Sequence, residues 1–369
     1  MESIQVILKS RPQGTPSPDN FALATIQLPE LQEGEVLVKN RWMSVDPYMR
    51  GRMVDRKSYI PPFAIDAPLE GGAVGEVIAS KNSDFPVGSK VSSMLGWRTH
   101  FVSGAKGLTQ LPTLPISDEH FLGALGMPGM TAWSGLYPVG KLQESDTVLI
   151  SAASGAVGSV ACQIALNAGA TVVATVGSDD KADNLRAKGI EHVINYKTCG
   201  SLTKAIAAAA PQGIDLYFEN VGGEHLTAAL NTLNSFGRIA VCGMISQYND
   251  TVPTPGPANL ANIIAKRLRI EGFIVSDHWG QYAEFSKHMA QWLIEGKVEA
   301  ESTVYDGIDQ ATAAFIGLFE GKNTGVYIDL NMGMNRTGIR PEKAFNFVNC
   351  KHKIEKIYKV IFFITYFKN

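Results

Sequence analysis

The sequence feature that most constrains the fold is a strand, a small-residue turn and a helix that follow one another directly. An apolar, β-branched run starts at Thr147 and ends in small residues, and a helical repeat of apolar side chains begins at once. The turn reads Ala153-x-Gly155-x-x-Gly158, a dinucleotide-binding motif with alanine in the first glycine place. Small residues let a pyrophosphate approach the N–H groups at the start of the helix. This segment therefore predicts nucleotide binding.

The type of dinucleotide depends on the end of the next strand, which we predict over 171–176. An NAD site usually has an acidic residue there, about 20 residues past the motif. Gly177 and Ser178 instead leave room for a phosphate, and Lys181 can supply charge to it. Asp179 and Asp180 leave an alternative open, since either could accept from a ribose hydroxyl or both could cap the following helix. The residues favour NADP over NAD.

Composition indicates an ordinary globular enzyme. The 369 residues are 45% hydrophobic and 18% charged, enough for two domains with sizeable cores. The last 39 residues hold eight of the 33 basic side chains and only two of the 35 acidic ones, so the rest is acidic and gives no support for nucleic-acid binding. Four scattered cysteines indicate a reducing compartment, and no signal segment or membrane-spanning run is seen. We expect a cytoplasmic protein without membrane partners.

The spacing of apolar runs predicts two kinds of domain. Short alternating strands at 3–8, 35–42, 72–79 and 90–94 are typical of a compact, mostly β domain. From residue 147 onward, apolar runs at 147–152, 171–176, 192–195, 214–219, 238–243 and 269–275 alternate with helical segments or glycine turns, which predicts a doubly wound parallel sheet. A helix follows at about 281–296, and 303–330 returns to strand-like composition and completes the first domain.

Six motifs in order resemble one family. They are Asp46-Pro-Tyr-Met-Arg-Gly-Arg, Gly126-Met-Pro-Gly-Met-Thr-Ala, Ala152-Ala-Ser-Gly-Ala-Val-Gly-Ser-Val, Phe218-Glu-Asn-Val-Gly-Gly-Glu, Cys242-Gly-Met-Ile-Ser-Gln-Tyr-Asn and Glu271-Gly-Phe-Ile-Val. Over residues 1–330 the chain is similar to zinc-independent medium-chain dehydrogenases/reductases. Within them it resembles the NADPH-dependent alkenal/one double-bond reductases, a group that includes prostaglandin reductases and, with a particular likeness to this chain, bacterial curcumin reductases.

The resemblance implies a domain plan and partners. It implies a GroES-like catalytic domain formed by 1–127 and 299–330, a Rossmann NADP-binding domain over 128–298, and a non-family basic and apolar extension over 331–369. We interpret this extension as an added tail rather than a membrane-contacting element. The resemblance also implies NADP(H), a small conjugated enone or enal as substrate, and a homodimer whose Rossmann sheets pair.

The resemblance further implies cofactor contacts at specific positions. Lys181 and Tyr196 match positions that hold the 2′-phosphate, with Ser178 beside them. The pyrophosphate turn carries Gly155, Ala156, Val157 and Gly158, and the other matching positions are Met127, Thr131, Asn220, Cys242, Tyr248, Phe273 to Val275 and Asn323. The sequence after Asn323 departs from the family pattern, because it lacks a lysine often found there.

The chemistry predicted is hydride addition to a carbon–carbon double bond without zinc. Zinc-dependent relatives have a catalytic cysteine where this chain has Met43-Ser-Val-Asp46, and no cysteine precedes Cys162. Hydride from NADPH would add to the β-carbon of an enone, and a phenol would stabilise the charge on the carbonyl oxygen. Tyr48, Tyr59 and Tyr248 are the candidate phenols, and a packing role is open for each. Aromatic residues expected near the cleft, among them Phe63 and Trp97, favour bulky aromatic enones such as curcuminoids.

Other functions remain open from the sequence alone. A zinc-independent quinone oxidoreductase would share the fold, and a non-catalytic NADPH-binding protein would share the turn. A zinc-type alcohol dehydrogenase is the least compatible with the residues at positions 43–46.

Overall fold

The computed structural model describes residues 1–322, 325–330 and 339–342. It divides into two compact units. The described part of unit 1 is 1–123, 301–322, 325–330 and 339–342, and the described part of unit 2 is Ala124–Ala300. Among the described residues, the helices are all too short or too polar to cross a bilayer.

The strands are numbered along the chain through both units. They are β1 (Glu2–Leu8), β2 (Phe21–Gln27), β3 (Glu35–Ser44), β4 (Ala73–Ser80), β5 (Lys90–Ser93), β6 (His100–Gly104), β7 (Thr109–Gln110), β8 (Thr147–Ile150), β9 (Thr171–Val176), β10 (His192–Asn195), β11 (Ile214–Glu219), β12 (Leu233–Val241), β13 (Arg269–Gly272), β14 (Ser302–Asp306), β15 (Val326–Asp329) and β16 (Ile339–Glu342).

The α-helices are numbered in the same way. They are α1 (Met49–Arg52), α2 (Met127–Ser134), α3 (Gly158–Asn167), α4 (Asp179–Ala187), α5 (Leu202–Ala209), α6 (Gly223–Thr232), α7 (Ala261–Lys266), α8 (Tyr282–Ile294) and α9 (Ala311–Phe319).

Unit 1 is mostly β, as the short alternating strands predict. Its larger sheet has the order β16-β14-β15-β3-β4-β5-β7, with β6 paired to β3, and β1 and β2 form a separate antiparallel pair. The core of this unit contains Phe315, whose ring meets the rings of Phe21 and Trp97 edge to face. The ring centroids are 6.1 Å apart in both pairs. Burial of large aromatic side chains is the main source of stability for such a unit.

The prediction that 303–330 returns to strand-like structure is correct for β14 and β15 but wrong for the helix α9 that lies between them. Ala311, Ala314 and Phe315 are fully buried, a spacing that places them on one face of a helix. The apolar density of Ala-Thr-Ala-Ala-Phe-Ile-Gly-Leu-Phe resembles that of a buried strand, and the two are hard to separate by composition alone. The flanking strands β14 and β15 pair in parallel.

Unit 2 is the predicted doubly wound parallel sheet. Its six strands have the order β10-β9-β8-β11-β12-β13, and every neighbouring pair is parallel. The central strands β8 and β11 are buried along almost their whole length, which fits strands with helices on both faces. The order reverses at β8, where the chain moves outward first to β9 and later to β11. Parallel sheets of this kind bind their ligands at such a switch point, at the carboxyl ends of the strands.

One short piece of the predicted tail pairs with unit 1. The backbone of β16, Ile339–Glu342, forms an antiparallel pair with β14. These four residues belong to the segment that sequence analysis assigned to the extension, and they continue the larger sheet at its outer edge.

Candidate cofactor and active site

The dinucleotide turn joins β8 to α3 at the switch point of the sheet. Ala152 adopts a left-handed backbone conformation with φ 48°, and Ala153 N donates to Thr175 O of the neighbouring strand at 3.0 Å. A Cβ on Gly158 would lie 2.3 Å from the Ala152 carbonyl oxygen, so only glycine fits there. This close packing brings the start of α3 against the turn, and such a helix start attracts a phosphate. Gly155, Ala156 and Val157 all lie in this turn, as predicted from the motif.

The polar residues that follow β9 form the start of α4. Ser178 is the N-cap of α4 and accepts from Lys181 N at 3.4 Å. The Asp179 carboxylate accepts from Asn195 Nδ2 at 2.8 Å, and Asp180 lies exposed in the first turn of α4. Ser178 is therefore the cap of α4, and the alternative that the two acidic residues cap this helix is wrong. Both follow the cap in the first turn, where acidic side chains stabilise a helix start.

Lys197 is a residue that the sequence prediction missed. A Cβ on Gly177 would lie 3.0 Å from Tyr196 Oη and 3.4 Å from Lys197 Cε, so both side chains fold over this glycine. Burial lowers the pKa of Lys181, and the nearby charge of Lys197 lowers it further. Two lysines that converge beside a serine cap and a phenol form a surface suited to a phosphate. The available signal was topological, because Lys197 directly follows β10, the neighbour of β9 in the sheet.

The ends of β11 and β12 bring three further predicted residues close to the turn. Asn220 N donates to Ser151 Oγ at 2.9 Å, and Asn220 Nδ2 donates to Ser151 O at 2.7 Å. Cys242 N donates to Glu219 O at 2.9 Å. Gly243 makes room for Tyr248, whose hydroxyl would be 2.8 Å from a Cβ at that position. Asn220, Cys242 and Tyr248 thus share the carboxyl edge of the sheet with the dinucleotide turn.

The remaining predicted cofactor contacts that the structure describes lie on α2 and directly after β13. Met127 begins α2, and Thr131 Oγ1 donates to the Met127 carbonyl at 2.7 Å. Phe273 follows β13, its N–H donates to Val241 O at 3.3 Å, and Val275 begins a 3₁₀-helix. Asn323 lies outside the described residues.

The candidate phenols differ strongly in their surroundings. Tyr48, in unit 1, has a buried hydroxyl with no hydrogen-bond partner among the described residues. Burial raises the pKa of Tyr48 and the Asp46 carboxylate raises it further, so this phenol stays protonated. Tyr59 is 61% exposed. Tyr248 belongs to unit 2. A neutral phenol without a partner is well suited to donate to an oxygen that gains charge.

Asp46, beside Tyr48, is a buried carboxyl that titrates unusually high. Ser44 Oγ donates to Asp46 Oδ2 at 2.7 Å, yet burial raises the pKa of Asp46 from 3.8 to about 6. The folded protein therefore favours the protonated carboxyl, and this contribution to stability is present below pH 4 and is lost as the pH rises through 6.

We expect Asp46→Asn to remove this pH dependence. Between pH 4 and 7, the free energy of unfolding of the natural protein should fall by about 3 kcal/mol relative to that of the variant, since one pKa unit corresponds to about 1.4 kcal/mol. Urea denaturation of both proteins at several pH values measures the difference. A difference that stays constant with pH would show that Asp46 titrates as an ordinary aspartate.

Two of the aromatic residues expected near the cleft are core residues instead. Trp97 is 0% exposed and Phe63 is 3% exposed, and both belong to the unit 1 core. The Arg52 guanidinium lies 4.0 Å from the centre of the Phe63 ring and covers it. The expectation that they line a substrate surface is therefore wrong, and they do not support a preference for bulky aromatic substrates.

Comparison with known proteins places most of the chain in one family. Residues 4–111 match a family model described as the N-terminal domain of oxidoreductase, and residues 156–294 match one described as zinc-binding dehydrogenase. Prostaglandin reductase 1 of Mus musculus is 43% identical over 325 residues, which are 86% of this chain and 96% of that protein. The NADPH-dependent curcumin reductase of Escherichia coli (strain K12) is 38% identical over 329 residues, 86% of this chain and 94% of that protein.

A solved structure agrees with this relationship. CurA from Vibrio vulnificus in complex with NADPH is 38% identical and superposes with a TM-score of 0.85, covering 89% of this chain and 99% of that one. This chain belongs to the medium-chain dehydrogenase/reductase family. Its relatives are of the double-bond reductase group that the six motifs indicate, and the predicted family and fold are confirmed.

One family description names zinc, but this chain lacks the cysteine that binds catalytic zinc in zinc-dependent members of the family. Met43 stands where zinc-dependent relatives have a catalytic cysteine, and it is fully buried in the core. Within residues 1–322, 325–330 and 339–342, no group of three His, Cys, Asp or Glu side chains is arranged to hold a metal ion. A thioether in place of a thiolate is a poor zinc ligand.

Proposed function

We propose that the protein uses NADPH to reduce the carbon–carbon double bond of α,β-unsaturated ketones or aldehydes. The observation that carries the proposal is the convergence of Lys181 and Lys197 at the end of β9, beside Ser178 and Tyr196. A phosphate on the adenosine ribose would be neutralised there, while the turn at 152–158 would hold the pyrophosphate. The curcumin and prostaglandin reductases among the relatives support the choice of reaction.

The cofactor contacts follow from the same edge of the sheet. We propose that Gly155, Ala156, Val157 and Gly158 face the pyrophosphate, and that Asn220, Cys242, Tyr248 and the 273–275 backbone face the nicotinamide half. Met127 and Thr131 complete the set from α2. The close packing at Gly158 supports this, because a Cβ there would lie 2.3 Å from the Ala152 carbonyl oxygen and the turn therefore excludes a side chain.

The chemistry requires a donor to the substrate carbonyl oxygen. NADPH, when bound, supplies the hydride, and the charge then collects on that oxygen. We propose Tyr48 as the donor, because its hydroxyl has no partner among the described residues and its pKa is raised. A phenol that keeps its proton stabilises the charge by a hydrogen bond, while the carbon is protonated by water.

Product analysis tests the reaction. Incubation with NADPH and a conjugated enone is expected to give the saturated ketone, as measured by mass spectrometry and NMR. A parallel series with quinones separates the quinone oxidoreductase alternative, which predicts faster turnover of quinones than of enones. Formation of the allylic alcohol would exclude addition to the double bond, and NADPH binding without turnover of either series would leave only a binding protein.

We also propose that the protein is a homodimer formed through β13. This strand lies at the end of the sheet order, and all four of its residues are exposed. Ile264 on α7 is 82% exposed and Ile270 on β13 is 39% exposed, so the edge presents apolar side chains as well as backbone groups. An uncovered edge of this kind is suited to pair with a second copy.

Light scattering after size-exclusion chromatography tests the dimer. The natural protein is expected to give twice the chain mass, and Ile264→Glu/Ile270→Lys is expected to give the monomer mass, because charges at an edge oppose pairing. Val87→Lys, at another exposed apolar residue (64% exposed), is the matched control and should remain dimeric. A monomeric natural protein would exclude the proposal.

We propose a cytoplasmic location for the protein. Cys162, Cys199 and Cys242 are free thiols, and Cys350 lies outside the described residues. Free thiols are typical of a reducing compartment.

A further inference from the structure

The least expected buried group of unit 2 is the carboxylate of Glu219. It is the last residue of β11 and is 0% exposed. Burying a carboxylate costs desolvation free energy unless hydrogen bonds compensate for it. The groups that donate to Glu219 therefore indicate its structural role.

One oxygen of this carboxylate collects four donors. Glu219 Oε1 accepts from Tyr217 Oη at 2.6 Å, from Val221 N at 2.7 Å, from Gly222 N at 2.9 Å and from Ser151 Oγ at 3.2 Å. Hydrogen bonds to a charged acceptor are about twice as strong as neutral ones. The carboxylate therefore fixes the Gly-Gly turn after β11 and holds the first residue after β8.

The backbone carbonyl of Glu219 connects this network to the residues that follow β12. Glu219 O accepts from Cys242 N at 2.9 Å and from Gly243 N at 3.1 Å. Glu219 thus ties together the carboxyl ends of β8, β11 and β12, which are neighbours in the sheet.

These three strand ends orient a side chain proposed to contact the nicotinamide half. Ser151, held by Glu219, accepts from both the N–H and the Nδ2 of Asn220. The amide group of Asn220 is therefore oriented by a residue that Glu219 itself fixes. The adenosine half is separate, since Ser178, Lys181 and Tyr196 follow β9 and β10, which lie outside this set of strand ends.

We propose that Glu219 is a positioning residue that sets the affinity for the nicotinamide half of the cofactor and leaves the adenosine half unaffected. The proposal rests on NADPH binding as described under Proposed function. It assigns to a buried carboxylate an effect on ligand binding that acts through Ser151, Asn220 and the loop at Cys242.

The uneven hydrogen bonding of the carboxylate makes glutamine a sharp test. Glu219 Oε2 is buried and has no partner among the described residues. An amide nitrogen at the Oε1 position would face the N–H groups of Val221 and Gly222, and at the Oε2 position it would find no acceptor there. The first placement breaks these hydrogen bonds, and the second keeps them but removes the charge that strengthens them, so either one weakens the hold on the three strand ends.

Asp215 offers a matched control at the opposite end of the same strand. Its carboxylate accepts from Thr147 N at 2.9 Å and from Asn234 Nδ2 at 2.8 Å, so it also ties β8 and β12 to β11, but at their amino ends. Asp215→Asn should cost stability without touching the loops proposed to contact the cofactor.

The experiment compares the dissociation constants of NADPH and of 2′,5′-ADP, which lacks the nicotinamide half, by titration calorimetry. Glu219→Gln is expected to weaken NADPH about 10- to 100-fold, as for loss of a hydrogen bond to a charged group, and to change 2′,5′-ADP less than about twofold. Asp215→Asn is expected to change neither. Should Glu219→Gln fail to fold, Ser151→Ala, which removes one link, is expected to show the same selective loss about tenfold.

Two results would overturn the proposal. Equal weakening of both ligands would mean that Glu219 only supports the fold, and unchanged NADPH affinity would mean that its hydrogen bonds do not reach the cofactor loops. A natural protein that binds NADPH no better than 2′,5′-ADP and reduces no enone would instead contradict the proposed function, so the two failures are distinguishable.

Discussion

Replacing Lys181 and Lys197 together by alanine is expected to abolish the preference for NADPH over NADH. Each lysine would supply a charge-assisted hydrogen bond to the 2′-phosphate, worth about 1.5–3 kcal/mol, so kcat/KM for NADPH should fall about 10²- to 10⁴-fold. The value for NADH should change little, because that cofactor carries no phosphate there. Steady-state rates with both cofactors and one saturating enone measure the effect. The two lysines lie close enough for the charge of Lys197 to lower the pKa of Lys181, and this closeness is the structural reason for the size of the loss.

Lys204→Ala provides the control for removal of a surface lysine. Lys204 is exposed on α5 of the same unit, and its replacement should leave both cofactors unaffected. Each single variant, Lys181→Ala or Lys197→Ala, should show an intermediate loss. If Lys197→Ala behaves like Lys204→Ala, Lys197 does not contact the phosphate.

Tyr48→Phe is expected to lower kcat/KM for enones by about 10²- to 10³-fold, the effect of losing one donor to a developing oxygen charge. Its free energy of unfolding should not fall, because the hydroxyl has no partner among the described residues. Steady-state kinetics and urea denaturation measure the two quantities separately. Tyr59→Phe and Tyr248→Phe, assayed in the same way, test the other two phenols.

Tyr282→Phe is the matched control for the stability measurement. Tyr282 Oη donates to Leu125 O at 2.8 Å, so this variant loses a hydrogen bond and should unfold about 1 kcal/mol more easily. Full activity in Tyr48→Phe, together with a large loss in Tyr248→Phe, would transfer the donor role to Tyr248.

The sequence was sufficient where spacing dictates geometry. The turn at Ala153, Gly155 and Gly158 requires small residues for steric reasons, and the alternation around it predicts the parallel sheet. It was insufficient where distant residues meet. Lys197 lies close to Gly177 only because β10 is the neighbour of β9 in the sheet. Local spacing in the sequence does not contain this strand order.

Burial was the second kind of information that the sequence lacked. Aromatic residues such as Phe63 and Trp97 are common on binding surfaces, but here both are buried in the core. Arg52 packs on the Phe63 ring, and Phe315 packs on Trp97. Glu219 ends a strand and nothing in the sequence marks it as special, and only the structure shows four donors on one of its oxygens. Helix α9 was mistaken for strand because its residues are almost entirely apolar.

The most direct test of the account follows the hydride itself. NADPH that carries deuterium at C4 of the nicotinamide, prepared separately with each face labelled, is incubated with the protein and a conjugated enone, and the product is analysed by NMR. The saturated ketone should carry one deuterium on the carbon β to the carbonyl group, with one of the two labelled cofactors. Deuterium on the former carbonyl carbon, or recovery of unreduced enone with both labelled cofactors, would contradict the account.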